Sequence, residues 1–341
     1  MAIQVNMIQA RENIIRIFKA KLVPFLAGSP GCGKSDLFKD IANEFNLKLI
    51  DLRLSQCDPT DLLGFPHIDK EARRASYVPM TTFPLEGDPI PKGYSGWLLL
   101  LDEMNHADRS VQKASYKVVL DQMVGDTPIH KSCAIACAGN LETDNAMVEE
   151  MSTALQSRLI HLELAVDVEQ WLEWATGHGI DHRITSYIKY KPGNLYRFDP
   201  DHTDKTYAAP RTWEFASRLI KDETEIKRDF LPLLAGTVSE GIAREFYGFC
   251  QIYKELLTVP QIIANPTTVN VPTAPDVLFA LTGTIAHNAN DTNVKGLMDF
   301  VQRIPVEFQV TCLRELVKRK KELLQHKAVQ DWVNRNATEL F

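Results

Sequence analysis

Two short stretches carry residue types that could do chemistry. The first is Gly28-Ser29-Pro30-Gly31-Cys32-Gly33-Lys34-Ser35, which satisfies the G-x-x-x-x-G-K-[ST] pattern at every position. Glycines let a backbone wrap closely round phosphate oxygens, so that successive N–H groups point inward as a nest. A helix beginning near Lys34 would add its positive N-terminal end. Lys34 would then reach the β- and γ-phosphates of ATP, and Ser35 would hold Mg2+. The second stretch, Trp97-Leu98-Leu99-Leu100-Leu101-Asp102-Glu103, is a hydrophobic run that ends in adjacent carboxylates. Asp102 is suited to the metal. Glu103 is suited to polarising an attacking water, a task that needs a carboxylate within hydrogen-bond reach. Alone, the first could be a mere glycine-rich turn and the second a helix N-terminus; their pairing favours the nucleotide reading.

Such residues act only if ordinary elements hold them in place. Leu22 to Ala27 reads as a strand leading into the glycine-rich turn, with Pro24 tolerable near its start because proline cannot donate a ladder hydrogen bond. Leu37, Phe38, Ile41, Ala42 and Phe45 then share one helical face. Further strands are expected at Leu47–Leu54, Trp97–Leu101, Ala134–Ala138 and Leu159–Leu164, with a helix marked by Val111, Ala114, Val118 and Val119. Continuous apolar runs, rather than alternating ones, suggest strands covered on both faces, as in a parallel sheet. In an open sheet of this kind ligands sit beyond the carboxyl ends of the strands, where Asp102 falls. The fold class expected is therefore α/β, a three-layer α-β-α core with a parallel sheet over residues 1–165. After Val166 helical periodicity dominates, with breaks at Lys191–Asn194 and Asn265–Pro275, so residues 166–341 read as helical.

Bulk properties narrow the function classes. The chain has 341 residues, 45% hydrophobic and 24% charged, as ordinary soluble globular proteins do. No apolar run approaches the ~18 residues that span a bilayer. Arg11, Glu12, Arg16 and Lys19 interrupt the N-terminal segment, which is unlike a signal peptide. A cytoplasmic protein without a membrane span is the expectation. The six cysteines match no zinc spacing, and Cys133 and Cys137 sit on an apolar run as buried thiols would. A net charge of −6 argues against indiscriminate DNA binding, which needs a positive field. The basic run Lys318–Lys321 lies within helical periodicity and reads as a solvated helix face.

With both motifs placed, the order of the rest resembles the AAA+ superfamily, and most closely its MoxR-type, dynein-related branch. Asp102-Glu103-Met104-Asn105-His106-Ala107 is similar to that branch's D-E-[IM]-N-[RK]-A segment, departing at His106, where the branch has Arg or Lys. Ala136-Cys137-Ala138-Gly139-Asn140 resembles the sensor 1 strand, with Asn140 near the γ-phosphate. Ala154-Leu155-Gln156-Ser157-Arg158-Leu159 resembles the arginine-finger segment, and Ala209-Pro210-Arg211-Thr212-Trp213 resembles sensor 2. Pro59-Thr60-Asp61-Leu62-Leu63-Gly64 looks like the part of the branch that precedes an inserted hairpin. The likeness covers roughly residues 20–220. Each residue also has a plainer reading: Asn140 could cap a turn, Arg158 could pair with a surface carboxylate, and Arg211 could be a solvated residue of a helix's first turn.

The resemblance implies a P-loop AAA+ core followed by a helical lid and a C-terminal helical extension. It implies a Mg2+-dependent ATPase in which Glu103 orients water, Asn140 assists, Arg158 acts on ATP held by a neighbouring subunit, and Arg211 senses nucleotide. A homo-hexameric ring follows, with a protein client or a von Willebrand A domain partner and a remodelling, chaperone-like output. Two other classes stay open: a DNA-directed motor or loader, and a nucleotide-dependent binding switch with little turnover. The acidic charge and the lack of a DNA-binding motif favour the first over the motor. Glu103 and Arg158 disfavour the switch.

Overall fold

The computed structural model describes residues 3–71, 73–144, 151–201, 203–252 and 256–336. Its strands, in chain order, are β1 (Gln4–Val5), β2 (Val23–Gly28), β3 (Leu47–Arg53), β4 (Phe65–Asp69), β5 (Arg74–Val78), β6 (Gly96–Asp102), β7 (Met123–Val124), β8 (Thr127–Pro128), β9 (Cys133–Gly139) and β10 (Leu159–Leu164). Six of them make one sheet in the order β1-β10-β2-β9-β6-β3. Every neighbouring pair in it is parallel. The α/β fold class expected of this half is what the structure has. The helices of this half are α1 (Met7–Lys19), α2 (Lys34–Glu44), α3 (Pro59–Leu63), α4 (Arg109–Tyr116) and α5 (Thr153–Gln156).

The unbroken leucines of β6 have a simple cause. Leu98 and Leu100 point to one face of the sheet, among Ile14, Leu37, Phe38 and Ile41 of α1 and α2. Leu99 and Leu101 point to the other, among Val111, Ala114, Val118 and Leu155. Side chains alternate along a strand, so a run apolar at every position is what a sheet buried on both faces requires. By contrast β3, at the sheet's edge, is only partly buried, and its Lys48, Asp51 and Arg53 break the run. At the end of α4 the backbone loosens into a π-helical turn over Lys117–Asp121, which keeps both Val118 and Val119 buried.

Sheet register matters most for function. Leu101 of β6 lies level with Cys137 of β9, and Leu26 of β2 lies level with Ala138. Asp102, Gly28 and Gly139, the last residues of three adjacent strands, therefore emerge at the same edge of the sheet. The hairpin anticipated after Gly64 is also present: β4 and β5 pair antiparallel, and every residue of both strands is exposed. The strand β1 was not anticipated; two residues are too few to leave a period in the sequence.

By its internal contacts the chain divides into Met1–Asp167 with Asp199–Asp201, and Val168–Phe198 with His202–Phe341. The second unit is built from α6 (Val168–Gly177), α7 (His182–Tyr190), α8 (Pro210–Ile220), α9 (Leu231–Val238), α10 (Glu240–Ile252), α11 (Val259–Ala264), α12 (Pro275–Asn288), α13 (Val294–Val301), α14 (Val306–Arg319) and α15 (Lys327–Arg335). No strand occurs among its described residues. Fully buried Trp213, Tyr187 and Phe246 centre its core with ring centroids 5.3–5.6 Å apart. Arg183, itself buried, forks onto Asp181 and donates to the carbonyls of Ile220, the last residue of α8, and of Glu223 beyond it.

One expectation is corrected in part. Within Lys318–Lys321, Lys321 is exposed, but the other three cations have partners: Arg319 binds the buried Glu315, Lys320 donates to the Ala289 carbonyl, and Lys318 pairs with Glu173 at 2.8 Å. Glu315 also takes a hydrogen bond from Lys189. A buried carboxylate needs cations beside it, and the periodicity of apolar residues cannot reveal that need.

Candidate nucleotide-binding site

The glycine-rich turn leaves β2 at Gly28 and enters α2 at Lys34. Gly31 and Gly33 have φ of +79° and +96°, the left-handed region where a side chain is strained. Gly28 is packed closely instead: a Cβ there would lie 3.0 Å from Cys32 Sγ and 3.2 Å from Leu164 Cβ. Cys32 is buried under the loop, whereas Ser29, Pro30 and Gly31 are partly exposed. Ser29 Oγ donates to Asp144 Oδ1 at 3.0 Å.

Lys34 is 8% exposed, which is unusual for a lysine and calls for partners. Its Nζ donates to the Gly28 carbonyl, to the Ser29 carbonyl at 3.2 Å and to Asn140 Oδ1 at 3.0 Å. One residue on, Ser35 Oγ donates to Asp102 Oδ2 at 2.7 Å. A hydroxyl and a carboxylate side by side suit Mg2+, a hard cation that takes one or two protein oxygens and completes its shell with phosphates and water. Residues 67 positions apart in the chain are thus joined at the strand ends.

Asp102 is 7% exposed, and its Oδ1 accepts the Glu103 N–H at 2.8 Å. Glu103 has φ +56° and ψ +34°, left-handed for a non-glycine residue. Holding it there costs about 1 kcal/mol or more, and it turns the chain from β6 into a short 3-10 turn over Met104–His106. The Glu103 carboxylate accepts a hydrogen bond from Ser55 Oγ. Negative charge collects at this edge. Burial pushes the nearby Asp51 carboxyl above its usual range, Asp102 pushes it further, Arg53 opposes and Glu103 adds to the rise. Asp51, Arg53, Cys57, Asp61 and Phe83 line a cavity of about 460 Å3 beside it.

Asn140 follows β9 directly. Asn105 grips its backbone from both sides, donating Nδ2 to the Asn140 carbonyl at 2.8 Å and accepting the Asn140 N–H at 3.1 Å. Asn140 Nδ2 lies 3.2 Å from His106 Nε2. The structure therefore brings Gly28–Ser35, Asp102 and Asn140 into one hydrogen-bonded cluster, with Glu103 attached through Asp102. Arg158 does not join it. It is exposed just past α5, and its Nη1 donates to the Ala154 carbonyl at 2.8 Å. Arg211 belongs to the other unit, exposed in the first turn of α8 after Pro210.

Sequence reading missed Ser55, Asn105 and Asp144 as members of the site. Asn105 stood within a quoted segment, but nothing in its neighbours showed that it would face Asn140. Ser55 and Asp144 carry no local pattern at all. Among the described residues no helix is long and apolar enough to cross a membrane.

Residues 24–159 match the AAA domain of the dynein-related subfamily. The search of curated proteins finds no match. Among solved structures, the chain is similar to the RuvB Holliday junction branch migration motor of Thermotoga maritima, at 16% identity over 82% of this chain and 80% of that one, with a TM-score of 0.40. It is also similar to NtrX from Brucella abortus in complex with ATP, at 12% identity over 99% of this chain and 69% of that one, with a TM-score of 0.39.

Proposed function

Proceeding from the match of residues 24–159 to the AAA domain of the dynein-related subfamily, we propose that the chain hydrolyses ATP with Mg2+ and uses the cycle to remodel a protein client. The observation that carries this reading is the paired contact of Lys34 with Asn140 and of Ser35 with Asp102. It puts a cation, a hard-oxygen pair and a polar side chain round the mouth of one glycine loop. Gly28 to Gly33 would wrap the phosphates with backbone N–H groups, and Lys34 would exchange its carbonyl partners for phosphate oxygens. Ser35 and Asp102 would hold Mg2+, which supplies positive charge to the β- and γ-phosphates. Glu103 would leave Ser55 to orient the attacking water. Asn140 would align the same water and the γ-phosphate.

Arg158 supports the second half of the reading, a ring of six copies. Its exposed guanidinium is free of the local cluster, as a finger reaching a neighbour's nucleotide must be. Arg211 would report the nucleotide state to the helical unit, and a von Willebrand A domain protein is the partner class we propose. The net charge of −6 supports a protein client over a DNA track.

The test combines binding and turnover. Lys34→Ala should abolish ATP binding, and Glu103→Gln should keep binding while turnover falls by a factor on the order of 10^2 or more. Unchanged nucleotide affinity in Lys34→Ala would overturn the site. Strong stimulation of turnover by DNA would replace the protein client with a nucleic-acid track. Wild-type turnover no faster than that of Glu103→Gln would leave a binding switch.

A further inference from the structure

His106 is the one residue where the carboxylate segment departs from the pattern it resembles, and the function proposed so far gives it no task. Its ring sits against Asn140, and the chemistry of that contact has only one consistent solution. Lys34 Nζ carries donors only, so the Asn140 atom 3.0 Å from it must be the carbonyl oxygen Oδ1. That assignment sends the Asn140 NH2 group to His106, 3.2 Å from Nε2. An NH2 group donates, so Nε2 must accept. A neutral imidazole accepts at one nitrogen and carries its proton on the other, so the proton is on Nδ1. If Nε2 carried the proton instead, two donors would face each other, and the Asn140 amide would have to turn over. That turn would take Oδ1 away from Lys34.

The surroundings leave the pair little freedom. Asn105 already holds the Asn140 backbone by both its N–H and its carbonyl, so the side-chain torsion is what remains to be set. His106 Nδ1 is buried without a hydrogen-bond partner among the described residues. On this tautomer the unpaired Nδ1–H is a cost, set against the chain of hydrogen bonds from Lys34 through Asn140 to His106. Arg or Lys at this position could only donate, and could not perform the same task.

Resting on the ATPase reading above, we propose that His106 is a positioning residue: as the Nδ1-protonated tautomer, it fixes the amide of Asn140 so that Oδ1 faces Lys34. In this role it acts through Asn140.

The first test does not depend on hydrolysis. In the full chain labelled with 15N-histidine at about pH 8, above the usual imidazole range, the ring signals lost in His106→Gln belong to His106. They should show a protonated Nδ1 and a bare Nε2; the reverse tautomer overturns the proposal whatever the ATPase activity. The second test is kinetic. His106→Phe keeps the ring shape and removes the acceptor, and should lower kcat about tenfold with KM for ATP unchanged, the scale of one hydrogen bond. His106→Gln, whose Oε1 can stand where Nε2 stood, should recover kcat to within about threefold of wild type. In the Asn140→Ala background the Phe and Gln variants should be equal, because the residue to be positioned is gone. A Phe variant as active as wild type, or a Phe effect that persists beside Asn140→Ala, overturns the proposal. Thermal melting of each variant separates loss of fold from loss of positioning. Should Lys34→Ala keep its nucleotide affinity while the tautomer is as stated, the ATPase reading fails and the His106 contact stands.

Discussion

Asn105 and Gly139 show how tightly the residues round the phosphate site depend on one another. A Cβ on Gly139 would lie 2.3 Å from Asn105 Oδ1 and 2.9 Å from Phe25 Cζ, so only glycine lets Asn105 reach across to Asn140. Gly139→Ala should therefore displace Asn105, release the Asn140 backbone and disturb the strand end at once. Overpacking of this kind costs roughly 1–3 kcal/mol. We expect a lower denaturant midpoint by that amount, and kcat reduced about tenfold or more with ATP affinity nearly kept, since the glycine loop is untouched. Titration with urea and a steady-state ATPase assay would check both; equal loss of affinity and turnover would mean that the damage spreads to the loop. At this scale the sequence was informative wherever chemistry follows local spacing. Gly28 to Ser35 and the Asp102-Glu103 pair are readable because neighbours in the chain act together. Ser55 and Glu103 are 48 residues apart, and Ser29 and Asp144 are 115 apart. Such contacts exist only after the sheet has set its register.

Among the elements, β6 was the most legible, because burial on both faces demands leucine at four successive positions. The edge strand β3 and the two-residue β1 were less so, since solvent relaxes that demand. In the helical half, periodicity marks where helices lie but not which polar residues turn inward. The start of α7 is such a case. His182 stacks on His287 of α12 with centroids 4.5 Å apart and planes 16° apart. Burial pushes the His182 imidazole from its ordinary 6.5 down to about 4; Asp181 opposes, while His287, Arg183 and Arg319 add to the drop. His287 is also lowered, by burial first and then by Arg319. The sign follows from proton uptake. Between about 4 and 6.5 the unfolded chain binds a proton at this position that the folded chain refuses, so stability falls as pH falls through that window. The loss approaches ~3 kcal/mol at its acid end. Chemical denaturation of the protein at pH 7 and at pH 5 should show it in the helical unit, and His182→Phe should flatten the difference. A pH slope unchanged by that substitution would place the sensitivity elsewhere.

For the whole molecule the decisive question is whether one chain suffices. The site of a single copy contains Lys34, Asp102, Glu103 and Asn140, but Arg158 stands apart from them, exposed and anchored only through one nitrogen on the Ala154 carbonyl among the described contacts. A phosphoryl-transfer site that lacks its second cation loses about 10^3 or more in rate when that cation is an arginine finger. In the finger role proposed for it, Arg158 would serve another copy's nucleotide, so activity should rise with concentration as copies assemble. Mixing gives the sharper prediction. Lys34→Ala is expected not to bind ATP, and Arg158→Ala to bind it while leaving its neighbour without the proposed finger; each alone should turn over at under about a hundredth of the wild-type rate. In a mixture, an Arg158→Ala copy with ATP can sit beside a Lys34→Ala copy that still offers Arg158. Turnover should return in part, reaching its maximum near equal proportions. Two inactive proteins that stay inactive together, while sedimenting as assembled rings, would remove Arg158 from the chemistry. Activity retained by Arg158→Ala alone would mean that a single chain completes its own site.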